Sequence, residues 1–178
     1  MHGILFKSLK DFVVDRHDHE TWDEVRETAD VPGKLYLPID TYDDEELKSL
    51  VVAVSDRTGE PVTDLLETFG RHTAAQLLET YGNVVGNEES ALGLIANAES
   101  QIHTVLRARN PDLTPPTLTC RREGDAVRVE YRSDRGLCSV AKGIARGVGD
   151  HFDEDLVVSE ESCMRDGADH CEIVVRAG

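Results

Sequence analysis

The hydrophobic repeat of this chain changes once, at Thr114-Pro115-Pro116. Before that point apolar residues recur at helical spacing, and after it they alternate with a period of two. Helices first and an antiparallel sheet later predict an α+β fold: a mostly helical amino-terminal lobe, then a lobe combining a four-stranded antiparallel sheet with helices. Helices are expected over 8–16 (Leu9, Phe12, Val13) and 21–29 (Trp22, Val25), with a break at Val31-Pro32-Gly33. The next, over 43–58, opens with acids at the positive end of its dipole. Pro61 opens a helix over 62–81 that Gly82 ends, and Asn87 caps one over 87–109 that Asn110-Pro111 stops. Strands are expected over 117–122 and 126–133, around the hairpin signal Glu123-Gly124-Asp125. A glycine-rich helix over 136–152 precedes strands over 156–164 and 170–175. No repeat, low-complexity stretch or flexible linker divides the chain, so one domain is expected over 1–178.

Composition narrows the partners. The chain has 178 residues, with 35 acidic against 19 basic side chains and a formal net charge of −16. Such a surface disfavours nucleic acid and anionic membranes, both of which select for cations. The cations comprise 14 Arg and 5 Lys, and an acidic surface poor in lysine suits solubility in concentrated salt. No charged-then-apolar leader opens the sequence, and no apolar run approaches a membrane span. A soluble cytoplasmic protein is the expectation.

Three groups of residues could carry chemistry. In a strand, Val127, Val129, Tyr131, Ser133 and Arg135 share one face, while Arg128, Glu130, Arg132 and Asp134 share the other. The first face starts as core and ends in a phenol, a hydroxyl and a guanidinium. Such a row of donors suits an anion such as a carboxylate, unless Ser133 and Arg135 simply leave the strand into solvent. His103 falls on the apolar side of its helix with Leu92 and Ala96. There a neutral imidazole could ligate a metal or haem iron, or hydrogen-bond a carbonyl as an ordinary core histidine. Cys138, Cys163 and Cys171 could lie close together, with His170, Glu160 or His151 completing four ligands around zinc; equally, they could be small buried residues. His17 and His19 sit in a polar helix junction. No phosphate loop, nucleophile elbow or carboxylate pair stands out, so no enzyme activity is expected.

Taken together, these residues resemble the haem-nitric oxide/oxygen binding (H-NOX) domains related to the sensor of soluble guanylate cyclase, in their stand-alone NO-sensing form. The resemblance spans nearly the whole chain. It rests on the opening Met1-x-Gly3-Ile4, on His103 followed thirteen residues later by Pro116, and on the motif Tyr131-x-Ser133-x-Arg135. The ending Cys163-Met164-Arg165-Asp166-Gly167-Ala168-Asp169-His170-Cys171 belongs to it as well.

The resemblance implies haem b (iron protoporphyrin IX) between the two lobes, with His103 as proximal ligand and Tyr131, Ser133 and Arg135 on the propionates. Pro116 would press on the porphyrin and Leu5 would pack near it. It implies a distal subdomain over about 1–60 and a haem-holding subdomain over about 61–178. Oxygen-binding relatives carry a tyrosine nine residues after the motif tyrosine. Here that position is Val140, and Leu9, Leu77 and Ile144 are further apolar wall positions, with Thr73 and His72 nearby. The pocket therefore resembles that of an NO sensor that excludes O2 and also takes CO. The implied mechanism is that NO weakens the bond to His103, the porphyrin relaxes and the lobes shift. With nothing after Gly178, the partner would be a separate sensor histidine kinase or cyclic-di-GMP enzyme. A zinc site in some relatives matches Cys138, Cys163 and Cys171, although the fourth position is Glu160 in place of histidine, which leaves Glu160 or His170. The ending is also similar to haem-free 4-vinyl-reductase-type domains that bind small hydrophobic molecules. A haem peroxidase is a more distant alternative, since the expected distal positions are mostly aliphatic.

Overall fold

The computed structural model describes residues 1–31, 33–82 and 88–178, apart from the side chain of Arg109. The expected break at Pro32 and the expected cap at Asn87 lie outside the described residues.

Four helices come first: α1 (Gly3–Arg16), α2 (His19–Thr28), α3 (Asp44–Thr58) and α4 (Val62–Tyr81). Helix α1 begins five residues earlier than its apolar spacing predicts. The reason is local: the His2 ring accepts a hydrogen bond from the Ile4 amide at 3.2 Å, and the Asp40 carbonyl accepts one from Gly3 at 2.8 Å. Histidine is outside the usual capping set, so this start left no clear signal. Asp18 caps α2 through the Thr21 amide and Asp43 caps α3 through the Glu45 amide. Asp44, Glu45 and Glu46 fill the first turn of α3, where the dipole favours acids. Phe6, Leu9, Phe12, Trp22, Leu50, Leu65 and Phe69 form the core of this helical part.

Ser90 accepts from the Gly93 amide and opens α5 (Ala91–Ala98). The single helix expected over 87–109 is interrupted by a π turn over Glu99–His103, after which α6 (Thr104–Arg109) resumes. The extra residue in that turn alters the register of side chains, so a wheel of 100° per residue does not carry across it.

The sheet is antiparallel in the order β1-β2-β4-β3, from β1 (Thr117–Glu123), β2 (Ala126–Arg132), β3 (Leu156–Ser162) and β4 (Cys171–Ala177). The fold is thus α+β, with the alternation read correctly on β2. Val127, Val129 and Tyr131 are buried, while Arg128 faces Glu123 and Glu161 on the outer side. The strand ends at Arg132, so Ser133 and Arg135 stand on the turn beyond it. Val127, Val129, Val158 and Ile173 pack beneath α5 and α7 (Cys138–His151) as a second core.

Helix α7 lies against α4 with almost no side chains between them. A Cβ on Gly143 would stand 1.9 Å from the Glu67 carbonyl oxygen, and one on Gly70 would stand 2.2 Å from that of Val140. Gly143 and Gly147, two of the glycines that made 136–152 look glycine-rich, therefore form the seam of a close helix-to-helix contact. Arg71 clamps the seam through both carboxylate oxygens of Asp150 at 2.6 Å. Among the described residues no helix is long and apolar enough to cross a membrane.

Candidate functional site

A cavity in two adjoining compartments opens between the helices and the sheet, with free volumes of about 860 and 1030 Å³, partly open to solvent. Both compartments share Leu77, His103, Pro116, Tyr131 and Ile144. Leu5, Ser133, Arg135 and Val140 line the first, so residues far apart in sequence meet around one apolar space. Leu9 instead lies wholly buried in the helical core, and Thr73 donates its hydroxyl to the Phe69 carbonyl. His72 packs edge-on against Phe12. None of these three lines either compartment.

His103 stands on the helix wall, at the end of the π turn, with its side chain 16% exposed. Burial lowers its pKa from the ordinary value, against the pull of Glu99 and the Pro116 carbonyl, so the ring favours its neutral form. Nδ1 lies 3.2 Å from a Glu99 carboxylate oxygen, which leaves Nε2 as the nitrogen that can face a metal. Burial pushes the Glu99 carboxyl up, but hydrogen bonds from Arg107, the Leu118 amide and His103 outweigh it and hold the pKa below the usual range. Spacing alone pointed to His103 and missed Glu99, an acid four residues earlier in so acidic a chain.

The first compartment also has polar lining residues. Desolvation pushes the Tyr131 phenol up to about 12, so it stays a protonated donor, and Ser133 stands beside it. Arg135 donates from Nε to Asp44 at 2.7 Å and from its terminal nitrogens to the Thr114 carbonyl and hydroxyl. Asp44 also pairs with the amino terminus at 2.7 Å. Burial raises the Asp44 pKa, but those two cationic partners outweigh it and hold the carboxyl below the ordinary range. Tyr81 and His2, which the sequence did not single out, also line this compartment and share a hydrogen bond of 2.9 Å.

The cavity fits a flat apolar macrocycle with acidic side chains. Its walls are largely aliphatic, and a neutral imidazole, a tyrosine, a serine and an arginine are among the residues that line it.

A second cluster lies in the core that also holds Tyr131. The sulfurs of Cys138 and Cys171 sit 3.7 and 3.6 Å from that of Cys163. With a Glu160 oxygen, the four ligand atoms lie within 4.8 Å of one another. One Glu160 oxygen meets Lys142 at 3.1 Å, and the other is buried without a hydrogen-bond partner. His170 turns away to Arg132 at 3.2 Å and His151 is exposed, so Glu160 is the fourth group of the cluster. Desolvation raises the thiol pKa of Cys138 and Cys171, which keeps them protonated without a metal.

Residues 2–160 match a family model described as Haem-NO-binding. An H-NOX protein from S. oneidensis, solved in the Fe(II)NO ligation state, superposes with a TM-score of 0.92 at 27% identity, covering 100% of this chain and 99% of that one. An H-NOX protein from K. algicida superposes with a TM-score of 0.86 at 22% identity, covering 100% of this chain and 97% of that one, a likeness of fold. Soluble guanylate cyclase gcy-31 of Caenorhabditis elegans is 23% identical over 163 residues, 90% of this chain. The chain spans only 23% of that relative's length.

Proposed function

The chain belongs to the haem-NO-binding (H-NOX) family of haem-based gas sensor domains, and from that premise we propose that it binds NO at ferrous haem b, excludes O2 and regulates a separate signalling protein. The observation that carries this reading is that His103, Pro116, Tyr131, Ser133 and Arg135 line one apolar cavity. His103 would hold the iron through Nε2, while Tyr131, Ser133 and Arg135 would hold the propionates. Pro116 would press on the ring, and Leu5, Leu77 and Ile144 would complete the wall. Leu9, which was expected on that wall, would support it from the core behind.

Ferrous haem would supply the open coordination position that a diatomic gas occupies. Val140 offers that position no hydrogen-bond donor, and one good donor to a polar ligand is worth about 1–3 kcal/mol, or about one to two orders of magnitude in affinity. Bound O2 depends on such help more than NO does, so the aliphatic wall selects for NO, with CO as a further ligand. Release of His103 would free the helix over 91–109 to move against the sheet, and residues 1–60 would shift as a distal subdomain against 61–178. A partner can respond only by its differential affinity for the two arrangements. A sensor histidine kinase or a cyclic-di-GMP enzyme in the cytoplasm fits this role, the domain itself catalysing nothing.

The Cys138-Cys163-Cys171-Glu160 cluster supports a structural zinc, since the buried oxygen of Glu160 and the gathered thiols suit a tetrahedral cation. Metal analysis of the purified chain should return about one zinc per chain, and Glu160→Ala should lower it.

The deciding experiment is an absorption spectrum of the reduced, haem-loaded protein with and without NO. A five-coordinate NO spectrum and no stable O2 complex in air are expected. A protein that gains no Soret band on haem addition would instead be the haem-free hydrophobic-ligand domain.

A further inference from the structure

We propose that Glu99 sets the strength of the bond between His103 and the iron, and so how readily His103 lets go of the iron when a gas binds. The inference rests on the reading of His103 as the proximal ligand.

Glu99 and His103 are the first and last residues of the π turn. Turns of this kind are rare, and they gather at functional sites because the added residue re-aims side chains. Here the result is a carboxylate placed on the back of the imidazole, 3.2 Å from Nδ1. The carboxylate is held from two further sides. Its other oxygen accepts from Arg107 at 2.6 Å, and the oxygen facing His103 also accepts from the Leu118 amide at 2.9 Å. Arg107 belongs to α6 and Leu118 to β1, so the helix behind His103 and the edge of the sheet meet on one side chain.

A metal-bound histidine that donates Nδ1–H to a carboxylate takes on anionic character, and its Nε2 becomes the stronger base. Glu99 therefore strengthens the bond to iron and resists release of the ring. Arg107 works against it, because a guanidinium on the same carboxylate draws off part of its charge. The bond strength is then a balance of two opposed neighbours, and each can be removed separately. Glu99 acts through His103 and is a positioning residue. Its glutamine variant keeps one oxygen for the imidazole and the Leu118 amide, and loses the charge together with the oxygen that accepts from Arg107.

The test uses the full haem-loaded chain in its ferrous, gas-free form. Resonance Raman reads the iron–histidine stretch, and stopped-flow absorbance follows release of His103 after mixing with NO. Glu99→Gln should lower the stretch and release His103 about tenfold faster, the lower end of what outer partners of metal ligands usually contribute. Arg107→Gln should raise the stretch and slow the release. A general loosening of the helix would move both variants the same way, so shifts of one sign, or unchanged stretches, overturn the proposal. Should Glu99→Gln fail to hold haem, Arg107→Gln decides alone, and a lowered or unchanged stretch overturns it. If the unaltered chain takes up no haem, the gas-sensor reading falls and this role with it. If it binds haem through His103 and the variants behave alike, only the role of Glu99 falls.

Discussion

Arg135 donates from Nε to Asp44 at 2.7 Å, which ties the rim of the cavity to the first turn of α3. The same carboxylate holds the amino terminus at 2.7 Å, so one side chain joins the start of the chain, a helix of the amino-terminal part and the turn after β2. A propionate at this rim would compete with Asp44 for the guanidinium.

Asp44→Asn is expected to lower stability by about 1 kcal/mol, the size of a partly exposed ion pair, measured by urea unfolding of the haem-free chain. The folded Asp44 carboxyl titrates below the ordinary value of 3.8, so its stabilising effect is present above that value and is lost as acid carries the pH through the folded one. The difference between the parent chain and Asp44→Asn should hold at neutral pH and close below about pH 3.8. A difference that persists at lower pH would contradict the assignment.

His103→Gly should purify without haem and recover a Soret band when free imidazole is supplied to fill the space. Full haem retention without imidazole would place the ligand elsewhere.

Val140→Tyr puts a phenol on an aliphatic wall. It should strengthen O2 binding by about ten- to a hundredfold, measured as a ferrous–O2 spectrum in air, since one donor to a polar ligand is worth about 1–3 kcal/mol. NO binding should change far less.

Gly143→Ala would be mildly stabilising on an exposed helix face, by about 1 kcal/mol. Here the added methyl meets the Glu67 carbonyl oxygen at 1.9 Å and the Arg71 amide at 2.8 Å. The sign should therefore reverse, with a loss of about 1–3 kcal/mol on thermal unfolding. Gly59→Ala serves as the contrast: nothing crowds that site, and its cost should come only from a φ of +74°.

The periodic parts of this fold were open to reading. Alternation on β2 placed Val127, Val129 and Tyr131 inward, and helical spacing picked out Leu9, Phe12, Trp22 and Val25, all of them buried. What escaped had no period. The start of α1 depends on a histidine acting as a cap, and the π turn changes the register by one residue without any breaker to announce it. The fourth group beside the cysteines shows why spacing falls short. His170 neighbours Cys171 in sequence, yet it turns to Arg132, while Glu160 reaches the thiols from β3. Ser133 and Arg135 reach the cavity although the strand stops before them, because the turn keeps them facing the same space.

The glycine seam between α4 and α7 has a mechanical meaning. Where side chains fill an interface, a displaced helix is absorbed by rotamer changes within the first layer of neighbours. Two helices whose main chains touch have no such slack. Helix α7 carries Cys138, Val140 and Ile144, and α4 carries Leu77 and Tyr81, so the two behave as a single stiff strut along one side of the cavity. A displacement of one of these helices would therefore carry the other with it, as far as Asp150 on the surface, which Arg71 pins to the strut.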